Sequence, residues 1–204
     1  ADLLVRTCHR RGAYAIGGMA AFIPSRRDAG VNETALAKVR EDKQREAGQG
    51  FDGTWVAHPD LVPIALPEFE REQQLDVMRD DVQPDAAALL DVRSTPGSVT
   101  EAGLRQNVAV GIRYIASWLN GVGAAAIYNL MEDAATSEIS RSQVWQWLRH
   151  GRVSLNEVRE TIAREMEELR DVPRADEARE LFESVALDDD FVEFLTVPAY
   201  ERID

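Results

Sequence analysis

The amino-acid sequence predicts an α/β region followed by an all-α region. Two short apolar stretches, residues 13–24 and 53–58, alternate with three helical patterns over residues 1–79. Short apolar runs of this kind are typical of parallel strands that helices cover on both faces. Beyond residue 100 no strand pattern recurs, and the apolar residues follow a period of 3.6. The alternation fits a (β/α) barrel or a doubly wound sheet, and the residues alone do not decide between them.

The helices of the first region have recognisable ends. The first is expected to stop at Gly12, and the second to run from a cap at Asn32 to Ala47, where a Gly-Gln-Gly sequence ends it. Charged side chains of the second helix, Lys43 among them, are expected on its exposed face. A third helix is predicted over residues 67–79, with a proline in its first turn.

Residues 80–100 are predicted to be a linker, because aspartate, proline and glycine break both periodicities there. One short helical turn is expected within it, at residues 86–90. The C-terminal region, residues 101–204, is then an all-α domain that begins with a helix capped by Thr100. Its other predicted helices cover residues 124–131, 140–150, a stretch that follows a Ser154–Glu157 capping box, 175–186 and 189–196.

Composition narrows the class of protein. The formal net charge of the 204 residues is −13, which argues against nucleic acid and anionic membrane surfaces as partners. The single cysteine, Cys8, excludes an internal disulfide and fits a reducing compartment, so cytoplasmic localisation is expected. No apolar run approaches the ~20 residues of a membrane span. No Walker, G-x-G-x-x-G, H-E-x-x-H or G-x-S-x-G motif supports nucleotide hydrolysis, hydride transfer, or metalloprotease or serine hydrolase chemistry.

Two acidic residues, Glu132 and Asp133, stand at the predicted break between two C-terminal helices. The second of these helices is expected to begin at Ser140, which forms a capping-box pattern with Gln143. On spacing alone, Asp133 is best interpreted as a cap for local backbone. The alternative is that a short tether with firm anchors on both sides presents its carboxylate to a cavity.

Three stretches of the sequence carry a resemblance. Residues 129–151 read NLMEDAATSEISRSQVWQWLRHG, residues 7–21 read TCHRRGAYAIGGMAA, and residues 53–61 read GTWVAHPDL. In this order they resemble the malate synthase family over nearly the whole chain. The resemblance implies that residues 1–79 are the last two units of a (β/α)8 TIM barrel. The linker and the C-terminal helical domain then follow.

The resemblance also implies a reaction. Malate synthases join acetyl-CoA to glyoxylate and hydrolyse the thioester, giving malate and CoA in the glyoxylate cycle. Asp133 matches the family's catalytic base, which removes a proton from the acetyl methyl group. Met131 would provide an apolar wall near that methyl group, although core packing explains this residue equally well. Trp55 would line the active-site pocket, and backbone near Ala57 would contact acetyl-CoA.

Other parts of the family's machinery are expected outside this chain. An arginine facing the enolate oxygen, and a Mg²⁺ ion held by a glutamate and an aspartate, belong to barrel strands that would precede Ala1. The chain is therefore expected to be a fragment that needs the upstream N-terminal part of the same enzyme and is inactive alone. The rival hypothesis is a non-catalytic helical module that binds CoA or a partner protein. A related citrate-lyase-type barrel is a weaker third possibility.

Further candidates follow the two predicted strands. His58 is better explained as a hydrogen-bonded structural histidine than as a metal ligand, because no second His or Cys lies at ligand spacing. Arg26 and Arg27 could meet the phosphates of CoA, or they could be solvated charges in a loop.

Overall fold

The computed structural model describes residues 1–25, 28–70 and 74–203. Their backbone contacts separate into two units, Ala1–Pro96 and Gly97–Asp204. In the part of the chain that the structure describes, helices dominate both units. Parallel bridges join extended segments in the first unit, and the second contains a two-stranded sheet. Within the described residues, no helix combines the length and the apolarity that a membrane crossing requires.

Two extended segments of the first unit run side by side in parallel, as the sequence predicts. Bridges join Ile16 to Gly53 and Ala20 to Val56. The expectation that both faces of these segments are buried is wrong, because Ile16 remains 45% exposed. Among the described residues the first segment pairs with one neighbour, so too few elements surround it to cover both of its faces.

Capping residues and glycines set the ends of the first two helices of the first unit. α1 ends before Gly12, which has a φ of +67°, as predicted. α2 begins a turn earlier than expected, because Asp28 rather than Asn32 is its cap and accepts hydrogen bonds from two first-turn amides at 2.9 and 3.0 Å. Gly50, with a φ of +101°, ends α2. The helices are α1 (Asp2–His9), α2 (Ala29–Gln49), α3 (Val62–Phe69) and α4 (Ala86–Leu90), with 3₁₀ turns at Pro59–Leu61 and Val92–Ser94.

The third helix differs from the predicted one over residues 67–79. α3 lies earlier in the chain, and Pro67 is inside it rather than in its first turn. Residues 71–73 of the prediction lie outside the described residues. Beyond them the side chain of Gln74 donates a hydrogen bond to the Ala47 carbonyl at 3.0 Å, and the chain up to residue 79 is not helical. The backbone amide of Gln74 donates to Asp52 Oδ1 at 3.2 Å, so it takes no part in a helical hydrogen bond.

The short helical turn predicted within the linker is confirmed as α4. Asp85 caps it by accepting hydrogen bonds from the amides of Ala87 and Ala88 at 2.9 and 3.2 Å. Its apolar residues Leu89 and Leu90 are exposed. The turn therefore depends on its cap and not on burial within the first unit.

A single long helix organises the second unit. This helix, α5, is capped by Thr100 as predicted, and it packs against the next three helices. At Gly111 the approach is so close that a Cβ atom would lie 2.4 Å from the ring of Phe182. The elements of this unit are α5 (Glu101–Leu119), β1 (Ala125–Ile127), β2 (Leu130–Glu132), α6 (Ala134–Arg149), α7 (Leu155–Glu168), α8 (Ala175–Ala186) and α9 (Thr196–Tyr200).

The predicted helix over residues 124–131 is wrong, because this stretch is the β1–β2 hairpin. Ala125 pairs with Glu132, and Ile127 with Leu130. The two residues of the turn between the strands, Tyr128 and Asn129, both have positive φ, at 50° and 62°. Two successive residues in this conformation close a hairpin whose twist suits its strands, and they interrupt any helix. The three alanines had suggested a helix because alanine is a strong helix former.

The later helices agree with the sequence prediction except for the start of α6 and for the predicted helix over residues 189–196. α6 begins at Ala134 and not at Ser140, which is buried within the helix. The Ser154–Glu157 capping box of α7 and the bounds of α8 are confirmed. The predicted helix over residues 189–196 is wrong, and the last helix is α9. Within the predicted range, the amide of Asp190 donates to Asp188 Oδ1 at 2.9 Å and the amide of Leu195 donates to Glu138 Oε1 of α6, so these amides do not form helical hydrogen bonds.

Candidate active site

Asp133 occupies the junction between β2 and α6. Its Oδ1 accepts a hydrogen bond from the Thr136 amide at 3.1 Å, and the Thr136 hydroxyl accepts one from the Asp133 amide at 2.8 Å. This reciprocal pair is a capping box, so the interpretation of Asp133 as a cap is confirmed. The cap fixes the direction of the carboxylate, because one of its oxygens is held at the first turn of a helix.

The capping role leaves the second oxygen available. Within the described residues, Oδ2 of Asp133 has no hydrogen-bond donor, and the residue is exposed. The amides at the start of α6 present the positive end of the helix dipole to the carboxylate. A carboxylate that is anchored by one oxygen and open at the other is suited to accept a proton from a bound molecule.

The side chains of the residues that precede Asp133 lie on two opposite faces of the hairpin. Successive residues of an extended chain point to opposite sides. Glu132 points inward and is 7% exposed, whereas Asp133 has extended dihedrals and faces out. Met131, paired with the exposed Ala126, is half-buried on the same face as Asp133. The structure therefore brings Met131 and Asp133 together and directs Glu132 away, as expected for a structural Glu132.

Beneath the hairpin lies Tyr114 of α5, which is 2% exposed. It belongs to a buried cluster with Val110 and the two inward-facing residues of β1, Ala125 and Ile127. Burial, and then the negative charge of Asp133, raise the pKa of Tyr114 above its ordinary value. The phenol therefore keeps its proton at neutral pH. No local pattern in the sequence links α5 to the hairpin, so Tyr114 does not stand out as part of this site from sequence alone.

Trp55 and Ala57 lie in the other unit, on either side of the bridged residue Val56. Trp55 is 68% exposed, and Ala57 is half-buried. Both lie at the end of an extended segment that runs parallel to its neighbour. An exposed indole at such a strand end is available to a ligand, since parallel α/β folds place their sites at the carboxyl ends of strands.

The histidine that follows this segment has a local role. His58 Nδ1 accepts a hydrogen bond from the Asp60 amide at 3.1 Å and so caps the 3₁₀ turn. This contact agrees with a structural histidine. Arg26 and Arg27 lie outside the described residues.

The first unit contains buried charges that the sequence did not reveal. Lys43 was expected on the exposed face of α2, but its side chain is fully buried. Its Nζ donates hydrogen bonds to the Gly18 carbonyl at 2.6 Å and to Glu46 Oε2 at 3.1 Å. The available signal was its position four residues after Val39, which puts both side chains on one face of the helix. These contacts tie α2 to the first extended segment.

Comparison with known families identifies the chain. The family model described as "Malate synthase, C-terminal" matches residues 98–203, which is more than half of the chain. The chain belongs to the malate synthase family. A second model, "Malate synthase, TIM barrel domain", matches residues 1–92. The fold is thus part of a malate synthase TIM barrel together with the family's C-terminal domain.

Similar malate synthases come from bacteria and a eukaryote. The chain is 54% identical to the malate synthase of Streptomyces clavuligerus over 99% of its length, and 44% identical to malate synthase A of Escherichia coli over 98%. It is 42% identical to the malate synthase of Dictyostelium discoideum, also over 98%. In each case the chain spans 41% of the length of the malate synthase that it matches.

The Mg²⁺ ion implied by the family resemblance can be tested against the residues present. In the described part of the chain, no group of three or more His, Cys, Asp or Glu side chains is arranged to hold a metal ion. These residues therefore do not fit a Mg²⁺ site of their own. No reaction step proposed below passes through a metal ion.

Proposed function

We propose that this chain is the C-terminal part of a malate synthase and that Asp133 is its catalytic base. The observation that carries the proposal is the state of one carboxylate. Oδ1 of Asp133 is held in the cap of α6, while Oδ2 is open on the outer face of the hairpin. A base must be fixed in direction and still reach its proton, and this arrangement meets both needs.

The proposed reaction begins at the methyl group of acetyl-CoA. Oδ2 of Asp133 takes a methyl proton, and the electron pair of the broken C–H bond forms an enolate. The enolate carbon then bonds to the aldehyde carbon of glyoxylate, and the aldehyde oxygen, which becomes an alkoxide, takes a proton from solvent while Asp133 releases its proton to solvent. Water attacks the thioester carbonyl and the C–S bond breaks. The CoA thiolate takes one proton of the water and the other is released to solvent, which gives malate and CoA.

Three residues are proposed to bind substrate. Met131 shares the outer face of the hairpin with Asp133 and would exclude water from the methyl group. Trp55 and backbone near Ala57 would contact acetyl-CoA. Their support is the exposure of the Trp55 side chain and the position of both residues at a strand end.

We also propose a finer domain organisation. Residues 1–79 would be the last two units of a (β/α)8 barrel, residues 80–100 a linker, and residues 101–204 the C-terminal helical domain. Two parallel segments, each followed by a helix, support two barrel units, since strand followed by helix is the repeat of this fold.

The proposal that the chain is part of a malate synthase also implies its binding partners. Acetyl-CoA and glyoxylate would be the substrates, and the upstream N-terminal part of the same enzyme would supply the arginine and the Mg²⁺ ligands. The net charge of −13 supports neither nucleic acid nor an anionic membrane as a partner. A cytoplasmic location is proposed from the single cysteine.

Substitution of Asp133 by Asn tests the assignment. Asn is as good a helix cap as Asp, so the change removes the base while retaining the fold. In the full-length enzyme that carries this chain, malate formation should fall by at least about a thousandfold, or roughly 4 kcal/mol of barrier. Asp85→Asn, the same change at the cap of α4, should leave the rate unaltered. If Asp133→Asn stays within about tenfold, the base assignment is wrong.

The same assay separates the enzyme from the rival hypothesis of a CoA- or partner-binding module. The chain alone should show no turnover, and turnover should return when the N-terminal part of the enzyme is added. Binding of CoA without any return of turnover would favour the non-catalytic module. The structural support for this module is that Gly97–Asp204 has an apolar core of its own.

A further inference from the structure

The hairpin that carries Asp133 is too small to hold itself in place. Its strands, Ala125–Ile127 and Leu130–Glu132, have three residues each. An isolated two-stranded hairpin is marginally stable at best in water. Its connection to α5 contains Gly121, with a φ of +88°, and Gly123. Two hydrogen bonds of 3.0 Å between Ser117 and Val122 hold the first part of this connection to α5, but they end before Gly123. The position of the hairpin therefore depends on what lies beneath it.

Tyr114 supplies an anchor of two kinds. Its ring packs against Ala125 and Ile127 in the buried cluster. Its hydroxyl donates a hydrogen bond to the carbonyl of Gly123 at 3.0 Å, two residues before the first strand begins. The ring thus supports the inner face of the hairpin, and the hydroxyl fixes the point where the chain enters it.

The chain on both sides of Asp133 is tied to the same cluster. On one side, Ala125 pairs with Glu132, the residue directly before Asp133. On the other side, Ala134 packs against the cluster that contains Tyr114. A shift of the hairpin relative to α5 would therefore move the Asp133 carboxylate.

We propose that Tyr114 is a positioning residue for Asp133, and that its hydroxyl, by holding the Gly123 carbonyl, keeps the open carboxylate oxygen aimed at the acetyl methyl group. The inference rests on the proposed function of Asp133 as the base. Tyr114 touches no substrate and transfers no proton. Because its phenol stays protonated at neutral pH, it keeps the hydrogen that this bond requires.

Tyr114→Phe is the decisive variant, because it removes one oxygen and leaves the packed ring. In the full-length enzyme, kcat should fall about tenfold while KM for acetyl-CoA stays within about twofold, since a small error in direction slows proton transfer more than binding. Rates are scaled to the folded fraction, measured by near-ultraviolet circular dichroism. Tyr128→Phe is the matched control, because Tyr128 lies in the turn of the same hairpin, is 47% exposed, and contacts the Arg113 guanidinium through its ring, which the change retains. It should leave kcat unchanged.

A deuterium isotope effect distinguishes positioning from a general loss of structure. With trideuterated acetyl-CoA, Tyr114→Phe should show an effect on kcat at least as large as that of the unsubstituted enzyme, because proton removal has become slower. A kcat within twofold of the unsubstituted enzyme, or a lower kcat with a smaller isotope effect, would overturn the inference. If Asp133→Asn keeps its activity, the proposed function itself fails. If Asp133→Asn is inactive and Tyr114→Phe is not impaired, only the role of Tyr114 is wrong.

Discussion

The two units of this chain bury charged side chains alike and differ in the size of their apolar cores. Gly97–Asp204 has a continuous apolar core, in which α5, α7 and α8 bury side chains such as Phe182 and Ile112 completely. In Ala1–Pro96 the apolar cluster of Val5, Ala15 and Phe51 is small. Both units bury charged groups, which are His9, Lys43 and Glu46 in the first and Glu132, Arg141 and Glu165 in the second. A substitution in an apolar core lowers the stability by leaving a cavity. A substitution at a buried ion pair lowers it by leaving the other charge without a partner.

In the first unit these charged groups join helices to the extended segments and loops beside them. Lys43 connects α2 to the Gly18 carbonyl, and Glu46 accepts a hydrogen bond from the Thr54 hydroxyl at 2.7 Å. His9 connects the end of α1 to Asp52 at 2.9 Å. The comparison teaches that buried charges weigh more in the unit whose apolar cluster is small, because fewer apolar contacts accompany them there.

The largest expected effect is a cavity in the second unit. Phe182→Ala should lower the free energy of unfolding by about 3–5 kcal/mol, because the ring is fully buried and packs against Gly111 of α5. Urea denaturation would measure the change, and hydrogen exchange would show the loss of protection concentrated in Gly97–Asp204. Phe194→Ala is the matched control, since Phe194 is 54% exposed, and it should change the free energy by less than about 1 kcal/mol. Equal effects of the two variants would break the comparison.

A somewhat smaller effect is expected from a buried charge in the first unit. Lys43→Met should destabilise Ala1–Pro96 by about 3 kcal/mol, because the carboxylate of Glu46 is then buried without its cation. Lys38→Met removes an exposed ion pair with Glu41 and should change the free energy by no more than about 0.5 kcal/mol. Both are measured by urea denaturation.

The double variant Lys43→Met, Glu46→Gln sharpens this prediction. With the second charge also removed, at least half of the lost stability should return, since the main penalty is an unpaired buried charge. If the double variant is no more stable than Lys43→Met alone, packing and not charge holds α2 in place.

The parts of the fold that could be predicted from sequence are those with local signals. Thr100, the Ser154–Glu157 box and the glycine after α2 mark helix ends through hydrogen bonds to nearby backbone. The hairpin was not predicted because its turn needs a positive φ at both Tyr128 and Asn129. Asn often adopts a positive φ, whereas Tyr rarely does. The start of α6 was misplaced because its capping partner is a threonine and not the expected Glu or Gln.

The residues of the candidate site also separate into those that local sequence signals predict and those that only the folded structure shows. Asp133 stands out in the sequence because it is an acid at a helix boundary and matches a family motif. The shared face of Met131 and Asp133 follows from the strand geometry of the hairpin, so a helical prediction could not show it. Tyr114 and Lys43 act through contacts between distant parts of the chain, and no spacing within one element predicts these contacts.

The smallest expected effect is a pH dependence in the first unit. Both ring nitrogens of His9 face acceptors, the Val77 carbonyl at 2.8 Å and the Asp52 carboxylate, so only the protonated ring donates two hydrogen bonds. Burial lowers the pKa of His9, but the Val77 carbonyl and Asp52 outweigh it and raise the pKa above its ordinary value of 6.5. With a raised pKa in the folded state, the stability from His9 is complete below about pH 6.5 and is lost as the pH rises through the folded value.

Comparing unfolding at pH 5.5 and pH 8.5 tests this. His9→Gln should be less stable than the unsubstituted chain at pH 5.5, by about 1–2 kcal/mol, the size of a hydrogen bond to a charged group. At pH 8.5 this gap should shrink. His150→Gln makes the same change at an exposed histidine of Gly97–Asp204, so its stability should match that of the unsubstituted chain at both pH values. A gap for His9→Gln that stays constant or widens with pH would mean that a neutral imidazole holds α1 to Asp52. The contrast between the two units would then depend on the Lys43–Glu46 pair rather than on His9.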